Sequence, residues 1–143
     1  MIEEFCKDFD FEIKGNIVEI NNGFYLSNEL LEEVRNKNSE KPKNVGIFLG
    51  EVKKGRFSPS IPLLKMINKH TKKKIIVDKK AAWLFICGRD IMERSVIKSE
   101  VSKGLCIVQD ESGDFLGLAK IEKKKDIFAN NVIDLGDYIR REK

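Results

Sequence analysis

The sequence predicts an α+β protein in two parts: a small antiparallel sheet with helices over residues 1–73, and a largely β part over residues 74–143. Three observations predict it. Short runs of apolar residues alternate with turns rich in Asn, Gly and Asp, the pattern of hairpins. Helical periodicity is confined to a few stretches. The break near residue 73 falls between a lysine-bearing helix and the strand that opens at Lys74-Ile75. A chain of 143 residues holds one domain or two small ones, and needs no disulfide or metal to be stable.

Taken in order, Ile17 to Ile20 reads as a strand, Asn21-Asn22-Gly23 as a tight turn, and Phe24 to Leu26 as the returning strand. Ser27 or Asn28 can cap a helix through about Lys37 with Leu30, Leu31 and Val34 inward. Asn36 to Lys43, with Pro42, reads as a loop. Val45 to Val52 is a strand whose Gly46 and Gly50 imply close approach of other backbone. Lys53-Lys54-Gly55 turns the chain into a strand at Arg56-Phe57. Ser60 then caps a helix with Pro62 in its first turn, where no amide donor is missed. Ile61, Leu64 and Ile67 share its inner side. Lys65, Lys69, Lys72 and Lys73 fall on the other, which puts four ammonium groups on one face.

After the strand Lys74 to Val77, Asp78 caps a helix containing Ala81, Ala82, Trp83, Leu84, Phe85 and Ile86. Apolar on all sides, it is expected to be buried, with Trp83 shielded and its indole N–H bonded. Gly88 closes it in the left-handed conformation. Beyond lie a core strand Leu105 to Val108, a turn at Asp110-Glu111-Ser112-Gly113 and a strand Phe115 to Ile121. A charged loop at Lys123-Lys124-Lys125 and a short strand at Val132-Ile133 follow. Asp134 is read as the cap of a terminal helical turn through Arg140.

Charge is unevenly placed. The net of +4 conceals a net of −6 over residues 1–40, +10 over 41–80 and zero over 81–143. Such an excess suggests a basic surface facing a polyanion. No apolar run is long enough for a membrane helix, and the acidic start Met1-Ile2-Glu3-Glu4 lacks a secretory pattern. Cys6, Cys87 and Cys106 are far apart and unpaired in spacing, which points to a reducing cytoplasm, no disulfide and ordinary buried thiols.

Catalytic patterns fall short of the chemistry they require. Gly50 to Gly55 has two-glycine spacing, but Arg56-Phe57 stands where a Walker loop needs Lys-Ser/Thr to reach phosphate and magnesium. His70, the one histidine, lies beside Leu63 and Met66 at the apolar edge of its helix and reads as a packing residue; a general base would also need a nucleophile or second carboxylate brought to it in space. No catalytic residue, metal site or cofactor is expected. The basic groups do stand out: Lys72, Lys73, Lys79 and Lys80 about the junction, Arg89 and Arg94 around the turn after the apolar helix, and Arg140, Arg141 and Lys143 at the end. Cations at a helix C-terminus also stabilise it, so the last group has a capping role available as well.

From Ile75 onward the residues carry a family pattern. Ile75-Ile76-Val77-Asp78, the helix with Ala82, and Gly88-Arg89-Asp90-Ile91 resemble the opening of a PUA domain. Lys103 to Val108 and Leu116-Gly117-Leu118-Ala119 resemble its later strands. The ending Asp134-Leu135-Gly136-Asp137-Tyr138-Ile139-Arg140-Arg141-Glu142 is similar to the C-terminus of the Nip-seven family of archaeal and eukaryotic large-subunit ribosome-biogenesis factors. Gly46 to Leu64, with Phe48-Leu49-Gly50 and Lys54-Gly55-Arg56-Phe57, is similar to that family's N-terminal α/β domain. Ser95 departs from the glycine usual in the PUA turn.

The resemblance implies a PUA β pseudo-barrel over 74–143, following an α/β domain over 1–73. It implies a non-enzymatic, cytoplasmic adaptor that binds pre-ribosomal RNA and other assembly proteins during large-subunit biogenesis. No membrane role is implied, and a monomer is expected. Arg140 and Arg141 are the positions that match the family's RNA-contacting basic residues; Lys143, Lys79, Lys80, Arg89, Arg94, Lys72 and Lys73 are added on charge alone. Two rivals remain: an RNA-modification protein whose PUA domain delivers substrate to a catalytic site, and a protein-interaction module without RNA.

Overall fold

The computed structural model describes residues 1–27 and 46–137. The chain divides into two compact units, residues 1–63 and 64–143. The helix expected from Ser27 or Asn28 to Lys37, the loop at Asn36 to Lys43 and the ending after Asp137 lie outside the described residues.

The first unit opens with α1 (Ile2–Lys7), an element for which the sequence raised no expectation; Ile2, Cys6 and the following Phe9 are buried. A four-stranded antiparallel sheet follows in the order β1 (Asn16–Ile20), β2 (Gly23–Ser27), β3 (Ile47–Lys53) and β4 (Arg56–Pro59). Two-residue turns with positive φ make its hairpins: Asn21 and Asn22 join Ile20 to Gly23, and Lys54 and Gly55 join Lys53 to Arg56. That backbone twist matches the right-handed twist of the strands. Gly50 lies at φ 145°, and a Cβ there would meet the carbonyl of Ser58 and the ring of Phe57, which is the close approach its glycine implied. Ser60 ends β4 and starts α2 (Ile61–His70): its Oγ donates to the Phe48 carbonyl at 2.6 Å and accepts from the Leu63 amide at 3.1 Å.

In the second unit, Leu64 and Ile67 of α2 are buried and Lys65 and Lys69 exposed. The helix stops at His70, so Lys72 and Lys73 are not part of a four-lysine helical face as the periodicity suggests. His70 is exposed rather than packed, because the helix end carries it beyond the apolar side. The sheet is six-stranded, made of β5 (Lys74–Val77), β6 (Ile91–Met92), β7 (Val96–Ser99), β8 (Gly104–Gln109), β9 (Phe115–Lys124) and β10 (Ile127–Asp134). Its order is β6-β10-β9-β8-β5-β7, with β5 parallel to β8 and the other neighbours antiparallel. The fold is thus α+β, with a small antiparallel sheet and a curled PUA-like sheet.

Two strands are longer than the sequence suggests. Lys123 and Lys124 belong to β9 rather than a loop, and the turn falls at Lys125 with φ 52°. Val132-Ile133 is the end of an eight-residue strand. In both places the ladder overrides weak local propensity, since each strand pairs along its length with a neighbour. Asp134 caps a helical turn as its position implied: its Oδ1 accepts from the Asp137 amide at 2.6 Å.

Helix α3 (Lys79–Ile86) covers the core. Ala81, Ala82 and Phe85 pack with Ile75, Val77, Ile91, Cys106, Val108, Leu116, Ala119, Ile121, Phe128 and Ala129. Burying a side chain of Phe85's size contributes about 1.5–3 kcal/mol. Trp83 and Leu84 were expected inside, yet they are 67% and 38% exposed. The helix rests on the sheet by one side only, and Ala81, Ala82 and Phe85 already fill that side. Among the described residues, no helix is long and apolar enough to cross a membrane.

Candidate nucleic-acid interface

The basic residues of the second unit can be placed one by one around β5 and α3. Asp78 caps α3: its backbone is extended, and its Oδ1 accepts from the Ala81 amide at 2.8 Å. The first turn carries Lys79 and Lys80, both exposed, and no acidic residue. These cations stand at the positive end of the helix dipole, which disfavours them. Trp83, Leu84 and Cys87 continue the exposed side. Cys87 was expected to be a core thiol and is instead exposed, because it lies one turn beyond Trp83 on the outward face.

The far end of α3 is fixed by main-chain bonds. Gly88, at φ 94°, donates to the Phe85 carbonyl at 2.9 Å, and the Arg89 amide donates to the Leu84 carbonyl at 3.0 Å. This is the paired closure of a Schellman ending, in which only glycine takes the left-handed position without cost. Asn131 of β10 then holds the loop. Its Nδ2 donates to the Phe85 carbonyl at 2.8 Å and to the Arg89 carbonyl at 3.3 Å, and its amide donates to Asp90 Oδ1 at 2.8 Å. Arg89 is therefore held by its backbone at the foot of the helix while its side chain is exposed.

Arg94 lies in the 3₁₀ turn Glu93–Ser95 and is exposed. The Asp78 amide donates to the Ser95 carbonyl at 3.1 Å, which draws this turn to the N-terminal end of α3. Lys79, Lys80 and Arg94 thus issue from one neighbourhood, and Arg89 from the other end of the helix. Ser95, where a PUA glycine is usual, sits in this turn without a positive φ.

Lys72 and Lys73 stand at the opposite end of β5. The Lys73 carbonyl accepts from the Ile107 amide at 3.0 Å, and its own amide donates to Thr71 Oγ1 at 3.1 Å. Here Thr71, Lys72, Lys74, Ile76, Lys98 and Glu100 line a shallow depression. Lys98 is engaged by Glu100 at 3.4 Å, and Lys74 Nζ donates to the Asn68 carbonyl at 2.7 Å. Lys74 and Lys98 are not evident from the sequence, since only the pairing of Ile76 with Lys98 brings β7 to this place. Arg140, Arg141 and Lys143 lie outside the described residues.

Two buried thiols are chemically quiet. Burial pushes the Cys106 thiol up to about 12. Burial, with the nearby Glu3 carboxylate, pushes Cys6 up to about 11. A thiol so disfavoured as thiolate is a poor nucleophile at neutral pH. Among the described residues, no three His, Cys, Asp or Glu side chains gather as a metal site would require.

Known proteins are similar to this chain in sequence or in fold. A UPF0113 protein of Archaeoglobus fulgidus is 26% identical over 113 residues, an alignment covering 71% of this chain and 64% of the relative, so the chain spans under two thirds of that relative's length. The structure of a conserved PUA domain protein from Thermoplasma acidophilum is similar with a TM-score of 0.62 at 17% identity, over 99% of this chain and 91% of the other. A protein from the hyperthermophilic archaeon Pyrococcus horikoshii OT3 is similar with a TM-score of 0.55 at 15% identity, over 98% and 86%. Residues 73–143 match the family model of the UPF0113 PUA domain.

Proposed function

We propose that this protein is a non-enzymatic RNA-binding adaptor that acts in large ribosomal subunit assembly and pre-ribosomal RNA processing. The observation that carries the reading is the PUA fold of residues 73–143, a module that serves as an RNA-binding surface in RNA-modifying enzymes and assembly factors. The ribosome-assembly role rests on the likeness of Asp134 to Glu142 and of Gly46 to Leu64 to the Nip-seven family. Exposed Lys79, Lys80, Arg89 and Arg94 support phosphate contact; Lys72, Lys73, Arg140, Arg141 and Lys143 are further RNA-contacting residues in this reading, the last three outside the described residues. Partners in this reading are pre-ribosomal RNA and other assembly proteins, met in the cytoplasm by a monomer.

The test is RNA affinity of the full chain across a salt series, using pre-ribosomal RNA fragments. Phosphate-driven binding weakens steeply with salt. Arg140→Ala with Arg141→Ala should weaken binding and lower the slope of log affinity against log salt by about 0.7 for each phosphate no longer neutralised on a single strand. A capping role for these arginines predicts a lowered melting temperature with RNA affinity intact. Wild-type protein that fails to bind RNA at low salt would overturn the reading.

A further inference from the structure

Trp83 is the most exposed large apolar side chain among the described residues, at 67%, and Leu84 beside it is 38% exposed. An indole can remove roughly 150–250 Å² from water when buried, so leaving it outside forgoes a large stabilisation. The core does not require that, since Ala81, Ala82 and Phe85 complete the buried side of α3. The same exposed side begins with Lys79 and Lys80, where the helix dipole disfavours cations, and the loop after the helix carries the exposed Arg89. No acidic residue occurs in α3. Of its near neighbours, Asp78 is engaged by the Ala81 amide and Asp90 by the Asn131 amide. The frame is fixed before any ligand arrives: Asp78 holds one end, the Gly88 closure and Asn131 the other. A platform ordered in advance loses little entropy on binding.

We propose that the exposed side of α3 is a platform for unpaired RNA, with Trp83 stacking one base and Lys79, Lys80 and Arg89 holding neighbouring phosphates. The proposal rests on the RNA-binding reading and deepens it by naming single-stranded RNA. An aromatic face with cations on both sides is what sequence-tolerant single-strand sites use, because every base offers a π-face and every link a charge. A duplex base has both faces occupied by its neighbours and cannot meet an exposed indole. Charge complementarity favours a polyanion over a protein helix: the exposed apolar area is small and has cations at both ends.

Trp83 is the single tryptophan of the chain, so its fluorescence reports this site alone. Full-length protein is titrated with an RNA oligonucleotide of about ten nucleotides, a length within the usual single-strand site size. The same oligonucleotide annealed to its complement is the comparison. The expected result is quenching of Trp83 emission by the single strand and much weaker quenching by the duplex. Trp83→Ala should reduce single-strand affinity by about five- to 150-fold, the range for loss of one stacked base. Trp83→Phe should recover much of it, and both variants should melt like wild type because the site is exposed. If RNA binds wild type without quenching and Trp83→Ala binds equally well, the platform is wrong while the RNA-binding reading stands. Equal quenching by duplex also overturns it. If wild type binds neither RNA, both the reading and the platform fall.

Discussion

In the first unit, Phe5 packs on Phe9 and on Phe57 with ring centroids 5.4 Å apart in each pair, Phe57 meets Phe24 at 5.8 Å, and Tyr25 meets Phe48 at 5.4 Å. In the second unit the core is mainly aliphatic around Phe85, and Trp83 faces water. Tilted aromatic pairs add about 0.5–1.5 kcal/mol beyond the area they bury, so the first unit uses its rings to hold itself together. The second is closed by branched side chains, alanines and the buried rings of Phe85, Phe115 and Phe128, and its largest ring, Trp83, lies outside that core. The contrast is between rings that pack on one another and rings that pack singly: Phe85, Phe115 and Phe128 are buried among aliphatic side chains, and Trp83 faces water.

The sharpest way to break the contrast lies within α3. Phe85→Ala should cost about 3–5 kcal/mol in chemical denaturation, as a large core ring removed. Trp83→Ala, two residues earlier, should stay within about 0.5 kcal/mol of wild type, as an exposed change. Equal losses would mean that both rings are core, and the second unit would then resemble the first.

A smaller effect distinguishes the two buried thiols. Both Cys106 and Cys6 have thiols held above the ordinary 9.0, to about 12 and about 11. The folded state therefore binds these protons more tightly than the unfolded chain. The stability so contributed is complete below about pH 9 and is lost as pH rises through the folded values. Denaturation followed between pH 8 and 11 should decline less steeply in Cys106→Ala than in wild type, with Cys6→Ala showing the weaker version. The reverse ranking would mean that the first unit buries its thiol more completely.

A further test concerns the start of α3. Asp78→Ala removes the oxygen that accepts the Ala81 amide and should cost about 0.5–2 kcal/mol. Thermal melting checks it. A loss below that range would show that the bond from the Asp78 amide to the Ser95 carbonyl fixes the start of α3 without the cap.

Much of the fold was legible because local chemistry and the final structure agree. Asn21-Asn22, Lys54-Gly55, Ser60, Asp78, Gly88 and Asp134 each dictate a turn, cap or stop within a few residues, and each does so here. α1 left only a faint signal: Ile2, Phe5, Cys6 and Phe9 recur at helical spacing, but its six residues fall short of a convincing period. The orientation of α3 is written in its spacing rather than in its apolar content. At 100° per residue, Trp83 and Leu84 fall in the same arc as Lys79 and Lys80, opposite Ala81 and Phe85. Counting apolar residues hid what their direction would have shown. The depression around Lys72, Lys74 and Lys98 could not be read locally, because it depends on β5 meeting β7 across the chain.

The two ends of the six-stranded sheet bear on how the protein behaves at high concentration. A sheet edge offers unpaired amides and carbonyls, a template on which another copy's strand can add. One edge, β6, is only two residues long. At the other, β7, the register shifts between Ile76–Lys98 and Val77–Val96, so Ile97 has no opposite residue and stands 54% exposed on a kinked strand. Lys98 follows at once and would place a charge in any strand-to-strand seam. Short length at β6, and a kink with a lysine at β7, make these two strands poor templates for another copy's strand.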